Sequence, residues 1–301
     1  MILLKNTVLF SETREDVLAL IAGALEIVTA KAGSQIIREG EPGDRMYVLV
    51  KGRVRISTQR GMSIPLGAGD VFGEFALIDA APRTASVAAL DDATLFSIHR
   101  GTFRDILNDR TEVAFGFIRI MARRLRQKLA AKHALMRQRK IPMAPPRPAE
   151  DAADFETWLP LEHLLLLRSL PLFAQQSDPA LAEIVGALRK VRARSGEKII
   201  EKGAVGTSLY IIVAGLVRIH DGDETLAYLG RNEIFGELSV FDHEERMASA
   251  TAATETQLFR LDQDIFYEIL ADRPEMAEAI MIELVRRLRE EESLLSRLSS
   301  L

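Results

Sequence analysis

The chain has 301 residues, 48% of them hydrophobic and 27% charged, which is ordinary globular composition and long enough for about two domains. It has no cysteine, which excludes disulfides and thiolate chemistry, and its histidines (His99, His133, His163, His220 and His243) show no metal-ligand spacing. No apolar stretch approaches the roughly 20 residues that cross a bilayer, and the N-terminus, with Lys5 followed by Glu12, Glu15 and Asp16, lacks the order of a secretory signal, so a cytoplasmic protein without a transmembrane segment is expected.

Taken in chain order, a short N-terminal helix is followed from Gly33 to Ile98 by short β-branched pieces such as Met46–Val50, Val54–Ile56 and Leu95–Ile98. Gly40, Gly43, Gly52, Gly61, Gly67, Gly69 and Gly73 break them apart, the pattern of a sandwich or roll. Helices are predicted next. Phe103, Ile106 and Leu107 mark one, and Val113, Phe117, Ile120, Met121, Leu125 and Leu129 mark a long amphipathic one at three- and four-residue steps. Asp109-Arg110-Thr111, between the two, is a hinge candidate.

The helical pattern fades into Ile141-Pro142-Met143-Ala144-Pro145-Pro146-Arg147-Pro148, whose prolines lack amide donors and favour an extended connector. Residues 149–160 are acidic and are expected to be loosely structured. Domain limits of 1–140, a linker of 141–160 and a second domain of 161–301 follow. The second domain opens with a short helix that has Asp178 as its predicted N-cap and Pro179 at the first helical position before Leu181, Ile184, Val185 and Leu188.

The second domain is the first one repeated at an offset of 163 residues. Gly33, Ile36, Ile37, Gly40, Gly43, Tyr47, Val50, Gly52 and Val54 recur as Gly196, Ile199, Ile200, Gly203, Gly206, Tyr210, Val213, Gly215 and Val217. Leu9-Phe10 matches Leu172-Phe173, and Arg123-Arg124-Leu125-Arg126 matches Arg286-Arg287-Leu288-Arg289. The net charge of −4 is unevenly divided: residues 1–149 carry 23 basic and 15 acidic side chains, residues 150–301 carry 16 and 28. From Val113 to Ala149 there is no acid against ten lysines and arginines. That segment is either a solvated helix face meeting the acidic half, here or in another subunit, or a docking surface for an acidic partner, anionic lipid or nucleic acid.

One motif carries chemistry and is present twice. Gly73-Glu74-Phe75 runs nine residues from Glu74 to Arg83-Thr84-Ala85, and Gly236-Glu237-Leu238 runs the same nine from Glu237 to Arg246-Met247-Ala248. A glycine lets backbone approach a ligand closely, a turn of helix over Phe75-Ala76-Leu77 points free amides at an anion, and an arginine supplies a planar fork for phosphate oxygens. A carboxylate faces a phosphate poorly but accepts from a sugar hydroxyl, so one pocket can hold both parts of a nucleotide. A structural ion pair between Glu74 and Arg83 is the competing reading.

With these residues the chain resembles the cyclic nucleotide-binding domain family of kinase regulatory subunits, gated channels and catabolite-activator-type regulators, over nearly its whole length. Phe72 to Ser86 looks like that family's phosphate-binding cassette. The resemblance implies an α+β, mainly β, protein: two tandem β-roll, jelly-roll-like domains, each flanked by an N-terminal helix and C-terminal helices. It implies that Glu74 binds the ribose 2′-hydroxyl and Arg83 the cyclic phosphate, with further contacts from Gly73, Phe75, Ala76, Thr84 and Ala85. The corresponding second-site residues are Gly236, Glu237, Leu238, Ser239, Arg246, Met247 and Ala248. That cassette has Glu245 and Met247 where the first has Pro82 and Thr84, so the first site is placed ahead of the second. The family's lid over the base falls among Met121, Leu125 and Leu129.

No Walker-type loop, zinc motif or nucleophile elbow is present, so neither catalysis nor a cofactor or metal is expected. No helix-turn-helix DNA reader and no Arg-Arg-x-Ser/Ala inhibitor segment is visible. The expected function is a receptor for cyclic AMP, ahead of cyclic GMP, that passes occupancy through helix movement to a protein partner, with homo-oligomerisation open. The alternatives are an interaction scaffold with degenerate pockets, or the regulatory region of a larger membrane transporter or channel.

Overall fold

A computed structural model describes residues 2–5, 14–59, 61, 63–79, 81–139, 143–146 and 154–300. Leu9-Phe10, Lys140, Ile141-Pro142 and Arg147-Pro148 of the sequence argument lie outside these residues. The chain divides into two compact units, Met1–Ile120 and Met121–Leu301.

In the first unit, α1 (Ile2–Lys5) and α2 (Glu15–Ala24) precede eight strands: β1 (Glu26–Ala30), β2 (Gln35–Ile37), β3 (Arg45–Lys51), β4 (Val54–Ser57), β5 (Ser63–Leu66), β6 (Val71–Phe72), β7 (Ser86–Ala89) and β8 (Ala93–His99). A one-turn helix, α3 (Phe75–Ile78), interrupts them, and α4 (Arg100–Asp109) and α5 (Thr111–Gln138) follow. The strands form two antiparallel sheets ordered β1-β8-β3-β6 and β2-β7-β4-β5. The predicted array begins earlier than Gly33, because Glu26–Ala30 pairs with β8. Its five residues, Glu-Ile-Val-Thr-Ala, are all exposed or half-buried and do not alternate between apolar and polar, so no hydrophobicity pattern marks the strand.

In the second unit the order is α6 (Pro160–Ser169), α7 (Asp178–Ala187), β9 (Arg189–Ala193), β10 (Lys198–Ile200), β11 (Ser208–Ala214), β12 (Val217–Asp221), β13 (Glu224–Leu229) and β14 (Ile234–Phe235). Then come α8 (Glu237–Asp242), β15 (Ser249–Ala252), β16 (Thr256–Asp262), α9 (Gln263–Asp272) and α10 (Pro274–Ser300). Its sheets, β9-β16-β11-β14 and β10-β15-β12-β13, repeat the first unit's topology. Each unit is thus an antiparallel β-roll with helices at both ends, the α+β, mainly β architecture expected.

The repeat extends to the cores. Ile37, Leu49, Val54, Phe72, Val87 and Leu95 are buried in the first roll. Ile200, Ile212, Val217, Phe235, Ala250 and Leu258 occupy the corresponding places in the second. Tyr47 stacks on Phe72 with ring centroids 5.4 Å apart, and Tyr210 on Phe235 at 5.2 Å. On α10, Met276, Ile280, Met281, Leu284, Val285 and Leu288 are fully buried at the spacing that buries Val113, Phe117, Ile118, Met121, Ala122 and Leu125 on α5. Periods of three and four residues place these side chains on one helix face.

Two local expectations change. The N-cap of α7 is Ser177, whose hydroxyl accepts from the Ala180 amide, so Asp178 is the first helical residue and Pro179 the second. Residues 154–157 are ordered rather than loose, as a 3-10 turn over Phe155–Thr157 capped by Asp154. Phe155 is wholly buried, stacks on Phe259 at 5.7 Å and lies beneath Lys190 and Arg192. Burying one aromatic ring contributes about 1.5–3 kcal/mol toward the cost of ordering this segment, and the bonds of Phe155 N to Gln257, Lys190 to Phe155 O and Arg192 to Asp154 add to it.

Candidate nucleotide site

Each cassette begins where a strand of the roll's core meets a glycine in left-handed backbone, Gly73 at φ 75° and Gly236 at φ 79°. A side chain at Gly73 would meet Arg83 Nη1 at 2.8 Å and Arg45 O at 3.2 Å, and one at Gly236 would meet Arg246 Nη1 at 2.7 Å. Glycine is required here both by conformation and by the approach of the arginine. Gly43 and Gly206 have the same relation to the other edge of each fork, since a Cβ there would fall 2.0 Å from Arg83 Nε or 2.8 Å from Arg246 Nε. Their place in the repeat was visible in the sequence, and their role was not.

The predicted turn of helix forms in both copies, as α3 and α8. The two arginines are held alike. Arg83 donates from Nη1 to Gly73 O (2.9 Å) and from Nη2 to Arg45 O (2.8 Å). Arg246 donates from Nη1 to Gly236 O and from Nη2 to Ser208 O (2.6 Å). The backbone repeats as well: Gly40 N donates to Arg83 O and Arg83 N to Glu41 O, while Gly203 N donates to Arg246 O and Arg246 N to Ala204 O, all at 2.9 Å.

Burial pulls both guanidinium pKa values below the ordinary arginine value, with the neighbouring Glu74 and Glu237 charges acting in the opposite sense. These are desolvated cations whose bonds run to neutral carbonyls, and an anion in the cassette would relieve that cost.

Glu74 and Glu237 are both 5% exposed. In the second cassette the ion-pair partner of the glutamate is not the cassette arginine. Arg287 of α10 donates from Nη1 to Glu237 Oε1 at 2.7 Å. Burial lowers the pKa of Arg287, but the charge and hydrogen bond of Glu237 outweigh it and leave the value raised. The repeated Arg-Arg-Leu-Arg signal contained this residue without showing its use.

Around the motif, Phe75, Thr84 and Ala85 lie part-exposed beside the buried Ala76 in the first cassette. In the second, Leu238, Ser239, Arg246, Met247 and Ala248 line a cavity of about 640 Å³ together with Gly236 and Glu237. Leu226, Leu229 and Leu294 supply apolar wall. The volume falls in the roughly 300–1,000 Å³ range of small-molecule sites. Of the three lid candidates, Met121 and Leu125 are fully buried and Leu129 lines this second cavity.

Arg100 at the start of α4 went unnoticed in the sequence. It donates to Ala76 O (2.6 Å), Gly43 O (2.8 Å) and Asp79 O (3.0 Å), tying the first cassette to the helix behind it. At the corresponding position Gln263 reaches Val240 O at 3.3 Å, with the Tyr267 hydroxyl donating to the same carbonyl at 3.1 Å. The chemical job is preserved while the residue differs, so the repeat alone could not reveal it.

The basic run meets acids of the second copy. Arg126 forms a bidentate pair with Asp242 (2.7 and 2.9 Å), Arg123 pairs with Glu244 (3.0 Å), Lys128 with Glu292 (3.2 Å), Lys132 with Glu291 (2.6 Å), and Arg137 with Glu224. This is the charge complementarity expected of a helix face and the acidic half, realised within one chain.

Both rolls thus carry a glycine, glutamate and arginine cassette at the core edge, a desolvated cation beside a buried carboxylate. Comparison with known proteins identifies this arrangement: the cyclic nucleotide-binding domain matches residues 27–110 and again residues 190–273, and the chain belongs to that family. The cAMP-dependent protein kinase regulatory subunit of Dictyostelium discoideum is 28% identical over 276 residues, 87% of this chain and 71% of that one. A cGMP-dependent protein kinase of Caenorhabditis briggsae is 24% identical over 275 residues, 89% of this chain but 31% of the kinase. This chain therefore spans less than a third of that relative. The solved regulatory domain of Toxoplasma gondii PKA with cAMP is 20% identical, with a TM-score of 0.35 and coverage of 91% of each chain. No helix among the described residues is long and apolar enough to cross a membrane.

Proposed function

We propose that the chain is a non-catalytic cyclic nucleotide receptor, taking cyclic AMP in preference to cyclic GMP, that transmits occupancy to a protein partner through movement of its C-terminal helices. Residues 1–140 act as the first nucleotide-binding domain, 141–160 as the linker and 161–301 as the second domain. Arg83 and Arg246 take the cyclic phosphate, and Glu74 and Glu237 accept from the ribose 2′-hydroxyl. Gly73, Phe75, Ala76, Thr84 and Ala85, and in the second site Gly236, Leu238, Ser239, Met247 and Ala248, complete the contacts.

The observation that supports this most is the twice-built arginine: a desolvated fork fixed by two carbonyls, beside a buried carboxylate. In the second cassette Arg287 occupies Oε1 of Glu237, which leaves Oε2 for a hydroxyl donor. The relatives include both a cAMP-dependent regulatory subunit and a cGMP-dependent kinase, and titration with each decides between the two nucleotides. Although Glu245 and Met247 placed the second site behind the first, its cavity favours occupancy there too. Ligand moves the helices only by its difference in affinity for their two arrangements.

The test is calorimetric titration of the chain with cyclic AMP and, separately, cyclic GMP. Binding to the unsubstituted chain is expected, with Arg83→Leu and Arg246→Leu each weakening its own site at least about 100-fold, the loss of two charge-assisted hydrogen bonds. No heat with either nucleotide, together with an unchanged melting temperature, overturns the reading.

A further inference from the structure

We propose that the second nucleotide site is completed by α5: residues 126–137 of this helix, which begins in the first unit, form a wall of the second cavity and help to hold and select its ligand. This rests on the reading of that cavity as a cyclic nucleotide site.

Leu129, Lys132, His133 and Met136 line the same cavity as Glu237 and Arg246. The helix is anchored at both ends of this stretch. At one end Arg126 grips both oxygens of Asp242, whose side chain is wholly buried, and donates to Glu245 O at 2.9 Å, the residue before the cassette arginine. At the other end Arg137 pairs with Glu224 of β13. The span between anchors is about 16 Å at 1.5 Å per residue, long enough to cover a mononucleotide from phosphate to base.

A second observation points to a ligand. Lys132 holds Glu291 Oε1 at 2.6 Å, while Glu291 Oε2 is buried without a hydrogen-bond partner among the described residues, and Glu291 lines the cavity. An orphaned carboxylate oxygen is costly unless a donor reaches it. The exocyclic amino group of a purine is such a donor, and α5 is what positions the acceptor. The repeat also breaks here: the offset of 163 puts Leu295 and Ser296 opposite Lys132 and His133, so α10 has no equivalent pair.

The experiment isolates the sites in the full chain. An Arg83→Leu background reports the second site, and an Arg246→Leu background reports the first. With cyclic AMP, Arg126→Ala and, separately, Lys132→Met are expected to weaken binding about 10-fold or more in the first background and less than two-fold in the second. Glu291→Gln is expected to change the ratio of cyclic AMP to cyclic GMP affinity only where the second site is read. Unchanged second-site affinity in folded Arg126→Ala and Lys132→Met overturns the inference.

A thiol provides an arm that does not depend on affinity, because the chain has no cysteine of its own. His133→Cys is expected to react with iodoacetamide at least about five-fold more slowly when nucleotide fills the second site. Equal rates overturn the inference. If the unsubstituted chain binds no nucleotide, the functional reading fails and the wall is decided by the anchor: Asp242→Ala is then expected to speed alkylation at position 133, and an unchanged rate refutes it.

Discussion

Gly73 and Gly236 show how one residue can serve both conformation and chemistry. Each sits at positive φ with an arginine fork within 3 Å of where a Cβ would be. Gly73→Ala is expected to destabilise the first unit by about 1–3 kcal/mol, from left-handed backbone and the displaced fork together. Urea unfolding measures the first effect, and cyclic AMP titration the accompanying loss of first-site affinity. His133 makes a pH prediction. Burial first, and then Lys132 and Arg137, hold its pKa below the ordinary 6.5, with Glu291 and Glu224 opposing them. The unfolded chain therefore binds this proton at higher pH than the folded one, so stability is lost as pH falls through 6.5 and levels off below the folded value. The melting temperature is expected to drop between pH about 7.5 and 5.5, and His133→Gln to flatten part of that slope. The carboxylates lowered by exposed partners, such as Glu26 beside Arg45 and Asp91 beside Arg53, titrate below their ordinary values of 4.5 and 3.8, outside this window. Glu237 and Arg246 were legible because their spacing repeats, whereas Arg100 and Arg287 were not: their partners are backbone carbonyls and a distant carboxylate that no local pattern names.

At the scale of elements, α5 matters most. Its apolar stripe and its run of cations were both readable, but the sequence left open whether those cations meet solvent, a partner or the chain's own acids. Arg126 decides it for the stretch beside the second cassette, because Asp242 is fully buried and its charge is matched there. Removing one member of a buried pair strands the other, so Arg126→Ala is expected to cost about 3–5 kcal/mol in the second unit. Arg126→Ala with Asp242→Ala should recover part of it, and a double-mutant cycle by urea unfolding reads the coupling. The exposed pairs, such as Lys31 with Asp92 and Arg53 with Asp91, are expected to contribute far less.

For the molecule as a whole, the duplicated roll predicts how ligand and stability are linked. A ligand that binds only the folded state at 100 times its Kd stabilises each occupied site by about 2.7 kcal/mol. Saturating cyclic AMP is therefore expected to raise the melting temperature by roughly 5–10 °C. A chain carrying both Arg83→Leu and Arg246→Leu is expected to show almost none of this shift, as read by calorimetry in matched buffer.

The sequence by itself determined a duplicated array of short strands and the glutamate and arginine positions of each cassette, because these are periodic or local: β-branched pieces between glycines, a fixed offset and a nine-residue spacing. The choice of a roll over a sandwich came from the family resemblance. Only the tertiary structure decided the partners that come from far along the chain. Arg287 reaches Glu237 from 50 residues away and Arg126 reaches Asp242 from 116. Phe155 became ordered by stacking on Phe259, though its surroundings read as loose acidic chain. Such contacts depend on which surfaces folding brings together, and burial then fixes their energy by removing the water that would otherwise satisfy each group.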